Sequence, residues 1–582
     1  MTTTFGGRSA RTYRFHRAKL ADPVRKLTIP SRRSAPDTTL STVSGVQDEC
    51  KQSTTARPQL NRREAVLATG GILAASACQP SCSLATQQQG LSKGSEDLTQ
   101  SLEARVQEFT LSNGLHFIVL ERSIAPIVSC HTYADVGAFD EVDGQTGIAH
   151  LLEHMAFKGS PRIGTKDYAK EAPILEALDE VFYSMKEAEA SGRVALAQKL
   201  NDQMQKLEEQ AAAFSIPNEF GATLSQAGAA GLNATTSHDA TRYFMAMPAN
   251  KLELWFALEA ERFRAPVFRE LYSEKRVVFE ERRMRVDDSP MGRFQESFAA
   301  QAMTNNYRRP VIGYPADLAL LGRTEVQSFF NEHYSPQRLS IAVVGDVHVD
   351  VVQKLAEKYF GGWQSMSSLP RAGSPSDTEP LPRPEGGPRH FEQGSKAGPL
   401  LMQAYYRPSM TSKDAVLLDI ICDLLSGSRT SRLYTQLVET GQAYHANAVP
   451  SYPGEKHPNA LVLFGQPSSG VSLQTLDKAF QKETQGLIHN GPSAKEMARI
   501  KKATKLTLVD GIRSNTNMAS ALCSYYVNAG SWKKLLSDLE QVDQLTAADV
   551  QAVAAATFQE DNLYTGYMLK EDPLTGKKSS TV

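Results

Sequence analysis

The chain has 582 residues, of which 63 are Lys or Arg and 64 Asp or Glu; 41% are hydrophobic. This length calls for more than one hydrophobic core, and no apolar run reaches the ~20 residues that a membrane-spanning helix needs. The 6 cysteines show no CxxC spacing, which excludes a zinc ribbon and a disulfide framework.

Charge is unevenly spread. The first 85 residues hold 13 basic and 5 acidic side chains, leaving 50 and 59 for the rest. The mildly acidic body offers no broad basic surface for nucleic acid. Residues 1–60 are rich in Ser, Thr and Arg and poor in acids, a transit-peptide composition. Arg62-Arg63 then precede a short, mildly apolar run from Ala65 to Ala75, with Ala75-Ser76-Ala77 and Ser83-Leu84-Ala85 as cleavage candidates. A twin arginine behind a transit peptide predicts that residues 1–85 are a two-part address, through the chloroplast to the thylakoid lumen. The stroma and the mitochondrion are the alternatives. A lipoprotein reading of Cys78 is disfavoured by the sixty residues of transit-like sequence before it.

From residue 101 the chain reads as α+β. Apolar runs at Val106–Leu111 and Leu115–Leu120 flank Ser112-Asn113-Gly114, a hairpin signal. A third strand, about Ile127 to Val136, leads through a Gly-containing turn into His150-Leu151-Leu152-Glu153-His154. On a helix, positions i and i+4 share a face, so both imidazoles can reach one ion. Zinc accepts such nitrogens, and Glu153 beside the metal suits proton transfer to and from water. This H-x-x-E-H order is the reverse of the commoner H-E-x-x-H. A pair of satisfied surface histidines is the bland alternative.

Next, Ile174, Leu178, Val181, Phe182 and Met185 follow helical spacing, as do Val194, Ala197, Leu200, Met204 and Leu207. With a turn at Ser191-Gly192 they predict a helical hairpin, about residues 170–215, packed on the body by its amphipathic faces.

Zinc also needs a third protein ligand. On a helix predicted from Ser273 to Val286, Glu274, Val278 and Glu281 lie on one stripe, with Val277 and Met284 expected as apolar flanks. Carboxylates in such a setting want a compensating cation. Glu280 points about 100° away from Glu281, and Glu274 suits the orienting of a histidine. A solvated acidic face is the alternative.

A strand at Leu339–Gly345 and a helix ending near Tyr359-Phe360 close the first domain, residues 101–364. Pro, Ser and Gly crowd residues 365–389, the expected linker. A second domain, 390–575, echoes the first: Thr324-Glu325-Val326-Gln327 before the Leu339 strand is matched by Asp549-Val550-Gln551 before Asn562-Leu563-Tyr564.

The blocks His150 to Gly159, then Asn233-Ala234-Thr235-Thr236, then Glu274 through Val278 to Glu281, resemble the pitrilysin-type zinc metallopeptidases, and processing peptidases among them. The resemblance runs from about 101 to 570. It implies one Zn2+ per chain on His150, His154 and Glu281, with Glu153 as base and Glu274 assisting. It makes Asn233 and Ala234 part of an edge strand that pairs with substrate backbone. It also implies two similar domains, each with a mixed or antiparallel sheet packed by helices, forming half of a clamshell. The second domain holds no metal motif.

Two departures stand out. The 127 positions from His154 to Glu281 exceed the family habit, and the hairpin accounts for the excess. Family members place an Arg and a Tyr in a later domain; here Tyr444 fits the Tyr, while the Arg position falls at Leu437 or Val438. The resemblance therefore implies a zinc endopeptidase acting on peptides or on unfolded or precursor proteins, dimeric with a related Arg-Tyr-bearing subunit in preference to a second copy of itself. A non-catalytic core or peptide-binding subunit is the alternative.

Overall fold

The computed structural model describes residues 101–373, 381, 389–572, 576 and 578–581. The expected address, residues 1–85, lies outside the described residues, as does the expected linker from 374 to 388 apart from Leu381.

In chain order the first half comprises β1 (Val106–Thr110), β2 (His116–Glu121), β3 (Ile127–Ala134), α1 (Ile148–Met155), α2 (Tyr168–Ala190), α3 (Val194–Ala212), α4 (Glu219–Gln226), β4 (Ala230–Thr236), β5 (Thr241–Pro248), α5 (Leu252–Arg264), α6 (Leu271–Arg282), α7 (Pro290–Ala302), α8 (Pro315–Leu320), α9 (Arg323–His333), β6 (Leu339–Gly345) and α10 (Val349–Phe360). The second half comprises β7 (Arg389–Ser395), β8 (Leu400–Arg407), α11 (Ala415–Ser426), β9 (Ala443–Tyr452), β10 (Asn459–Pro467), α12 (Leu473–Asn490), α13 (Ala494–Gly511), α14 (Asn515–Ala529), α15 (Lys534–Gln544), α16 (Ala547–Thr557), β11 (Leu563–Glu571) and β12 (Lys578–Ser579).

Each half builds a six-stranded sheet, and the two share one wiring. The first runs β1-β2-β6-β3-β5-β4; the second runs β12-β11-β8-β10-β9, with β7 also beside β11. The parallel pairs are β2 with β6 and β7 with β11; the other pairs are antiparallel. Thus β6 and β11 correspond, and the helix-then-strand echo read from Thr324 and Asp549 is α9 before β6 and α16 before β11. The strand β6, every residue of it apolar or small, is buried throughout, as a central strand covered on both faces must be. The motif helix α1 follows β3; its counterpart after β8 is α11, an apolar helix without histidine.

The halves exchange helices. From the first half, α7 drives Phe294 and Phe298 against Met402, Val462 and Tyr564 of the second sheet. From the second half, α14 sets Met518, Leu522 and Cys523 against Ile118, Tyr133 and Val344 of the first. Gly566 on β11 is required by this exchange, because a Cβ there would run into the Phe298 ring. The hairpin α2–α3 turns at Ser191-Gly192 and packs its apolar faces onto the first core.

Candidate metal centre

The helix α1 is fixed before it reaches its first histidine. The carboxylate of Glu141 accepts from the backbone N–H of Gly147 (2.9 Å) and Ala149 (3.0 Å), satisfying two of the donors that a helix start leaves free. Burial pushes Glu141 up to about 8 despite these bonds. Gly147 starts the helix at φ +86°, where its backbone meets that of Gly313; both demands suit glycine alone.

One turn apart, His150 and His154 face the same side, their ring centroids 4.9 Å apart. From α6, Glu281 brings Oε2 to 3.6 Å from His150 Nε2 and 3.5 Å from His154 Nε2. Three ligand-type atoms of His150, His154 and Glu281 lie within 4.8 Å of one another, the one such grouping among the described residues. Tetrahedral ligands at about 2.0–2.1 Å from zinc stand roughly 3.3–3.4 Å apart, so this triad fits a zinc ion with small adjustments. Burial holds His150 down to about 4, which keeps it neutral and its lone pair available.

His154 is handled differently. Burial opposes its charge, but Glu274 and Glu281 overcome this and raise it to about 9. Its Nδ1 donates to Glu274 Oε2 (3.3 Å), an orientation that turns Nε2 toward Glu281. Glu274 is held in turn by Lys158 Nζ (2.5 Å), which also reaches Glu270 (2.7 Å). The outer oxygen of Glu281 pairs with Arg285 (2.6 Å), carried on the widened helical turn Arg283–Asp287. Burial raises Glu274 and Glu281, but the hydrogen bonds from His154 and the nearby cations outweigh it and leave both below the usual carboxylate range.

Glu153 lies between the two histidines in sequence, and its Oε2 accepts from Thr236 Oγ1 at 2.5 Å. Burial raises its carboxyl; the Thr236 bond moderates the rise. Thr236 ends β4, the edge strand carrying Asn233 and Ala234, with β5 on one side and no strand on the other among the described residues. Asn233 is exposed and Ala234 buried.

Tyr444, 55% exposed, lies on β9, the edge of the other sheet. Among the described residues it makes no hydrogen bond to the triad or to Glu153. Leu437 is buried in the second core, and Arg432 is committed to Glu496 (2.8 Å) and the Gly491 carbonyl (2.9 Å). The expectation about α6 needs correcting in one respect: Val277 and Met284 are exposed, and Val278 alone on that stripe is fully buried. The partial burial of Glu274 and Glu281 comes instead from α1 and its loop, through His150, His154 and Lys158. Glu280 points away and pairs with Arg283 at 2.6 Å.

Sequence reasoning missed Thr236, Lys158 and Arg285. Strand alternation carries a signal for the first, since Ala234 and Thr236 share a face. Arg285 stands four positions beyond Glu281, a helical pairing distance.

Comparison with known proteins identifies the family. The insulinase (peptidase family M16) profile matches residues 117–181 and 211–314, and the peptidase M16 inactive domain profile matches 321–504. Residues 182–210, left between the two matched pieces, are the greater part of the hairpin. The chain is 24% identical over 480 residues to the zinc protease PqqE of Helicobacter pylori, covering 81% of this chain and 94% of that protein. It is 22% identical over 462 residues to the uncharacterized zinc protease YmxG of Bacillus subtilis, covering 78% and 96%. In fold, a protease from Helicobacter pylori superposes with TM-score 0.65 at 22% identity, covering 80% of this chain and 99% of that one. The periplasmic protease PqqL from Escherichia coli superposes with TM-score 0.57 at 17% identity over 80% of this chain but only 48% of its own. Two family profiles that follow one another over most of residues 117–504, with a histidine–carboxylate triad in the first, make this chain a member of peptidase family M16, the insulinase or pitrilysin type.

Proposed function

We propose that the chain is a zinc-dependent endopeptidase that hydrolyses peptides or unfolded precursor proteins. The observation that supports this most is the convergence of Glu281 on His150 and His154 with Glu153 alongside. His150, His154 and Glu281 would hold one zinc ion, which supplies Lewis acidity to polarise a peptide carbonyl and acidify water. Glu153, its Oε2 engaged by Thr236, keeps Oε1 to accept a proton from the attacking water and would return it to the departing amine. Glu274 and Lys158 hold His154 in register. The free edge of β4 at Asn233 and Ala234 receives the substrate backbone as an added strand, which favours loose side-chain preference.

The missing arginine supports a partner. With Leu437 buried and Arg432 tied to Glu496, this chain offers Tyr444 but no matching cation. A related subunit bearing the Arg-Tyr pair completes the site in this reading. The same gap favours a second reading, a peptide-holding subunit that does not cut. The composition of residues 1–85 supports delivery to the chloroplast and on to the thylakoid lumen; fusing them to a fluorescent protein tests this.

The experiment is incubation of the purified chain with an unstructured peptide, with and without a chelator, alone and with a related Arg-Tyr-bearing subunit. Internal cleavage abolished by chelation and restored by zinc is expected. Zinc binding without cleavage under every condition would favour the second reading.

A further inference from the structure

The inserted hairpin does more than cover the first core. Between it and α6 lies a partly open cavity of ≈ 480 Å³, within the range of small-molecule sites. Its walls are of two kinds. Phe182, Met185 and Met204 from the hairpin face Tyr272 and Phe279 from α6, giving an apolar, largely aromatic interior. Lys186, Lys275 and Arg276 also line it, against one carboxylate, Glu208.

Those charges are unequally satisfied. Arg276 pairs with Glu208 at 3.1 Å, and Lys186 with Glu189 at 2.9 Å. Lys275 makes no ion pair among the described residues. Its Nζ reaches the carbonyl oxygens of Leu321 (2.5 Å) and Ala319 (3.3 Å) and sits 4.5 Å from the centre of the Phe182 ring. Lys275 is only 6% exposed. Burial lowers the Lys275 amine to about 7, because the carbonyls and the ring leave most of the ammonium's desolvation cost standing, and an anion beside it is what would offset that cost.

We propose that this cavity binds a small amphipathic carboxylate, an alkyl or aryl acid whose apolar body lies between the hairpin and α6 and whose carboxylate meets Lys275. Lys275, the lining cation without an ion pair among the described residues, selects the charge, and the aromatic walls select the body. The ligand bears on the candidate metal centre through covalent neighbours: Lys275 follows Glu274 on α6. The hairpin is also tied to the loop after the motif, since the buried Arg269–Glu171 pair (3.0 Å) lets Arg269 reach the Ser160 carbonyl (2.8 Å). The proposal stands whether or not the chain cleaves peptides.

The test is calorimetric titration of the full chain with decanoate, and with decanol and decyltrimethylammonium as neutral and cationic counterparts. Saturable binding of one decanoate is expected, at least tenfold tighter than either counterpart. Lys275→Met should weaken decanoate at least tenfold and leave decanol unchanged. Asn201→Trp, at an exposed position on the cavity rim, should block all three while leaving the melting temperature and the metal content as in the parent chain. Decanol binding as tightly as decanoate, decanoate binding unaltered by Asn201→Trp, or no saturable binding at all would each overturn the proposal.

Discussion

Thr236 at the end of β4 donates to Glu153 on α1 across 2.5 Å, so the strand that ends at the candidate centre also steadies the candidate base. Burial raises the Glu153 carboxyl, and this bond is the largest influence acting against it. Thr236→Val should therefore raise the group further. The acid limb of the pH profile of kcat/KM should move to higher pH, with a loss at pH 6 of about tenfold, the scale of one hydrogen bond to a charged acceptor. A profile superimposable on the parent's would contradict this role.

His154 would couple zinc binding to proton release. Raised to about 9 in the metal-free chain, it is protonated at neutral pH and must lose that proton to coordinate. Zinc binding at pH 7 should release about one proton, measurable by calorimetry in buffers of different ionisation enthalpy. Because its folded value lies above the ordinary ~6.5, His154 stabilises the metal-free fold fully below about 6.5 and loses that contribution as pH rises through about 9. Zinc binding with no proton release would contradict the geometry.

Glu274 acts through His154. Glu274→Gln removes the charge that orients and raises the imidazole, and should weaken zinc about 10- to 100-fold while leaving a site of the same stoichiometry. Competition with a chromophoric chelator reads both quantities. Unchanged affinity would make Glu274 a spectator.

The candidate centre was legible in sequence wherever its signal was local. The i, i+4 histidines of α1 and the stripe joining Glu274 to Glu281 follow from helical geometry alone. Thr236 was not legible as a partner of Glu153, because that bond depends on β4 lying beside α1. Val277 and Met284 misled because apolar character does not say which way a residue faces; both look outward. The hairpin was legible from its two apolar stripes. The exchange of helices was not: Phe294 and Phe298 announce that α7 must be buried, but nothing in their spacing says that the second sheet buries them.

That exchange predicts where damage appears. Phe298 is fully buried, so Phe298→Ala should cost about 3–5 kcal/mol. Hydrogen exchange should show protection lost first in β8, β10 and β11, although residue 298 belongs to the first half. Loss confined to β2, β3 and β6 would contradict the exchange.

Arg432 and Glu496 give a second stability test. Burial opposes the Glu496 charge, but Arg432 and the Ser493 cap bring it down to about 2. Its stabilising contribution is present above the ordinary ~4.3 and is lost as pH falls through about 2. With solvent screening the pair contributes about 1 kcal/mol, so Glu496→Gln should lower stability to denaturant at pH 7 and make little difference at pH 2. An equal effect at both would contradict it.

Bound zinc and cleavage of an unstructured peptide can be measured together in the parent chain and in Glu153→Gln, with a related Arg-Tyr-bearing subunit present. One zinc in each protein is expected, with cleavage at least 100-fold slower in the variant. Equal cleavage by both proteins, or a parent chain that binds no zinc, would contradict that expectation.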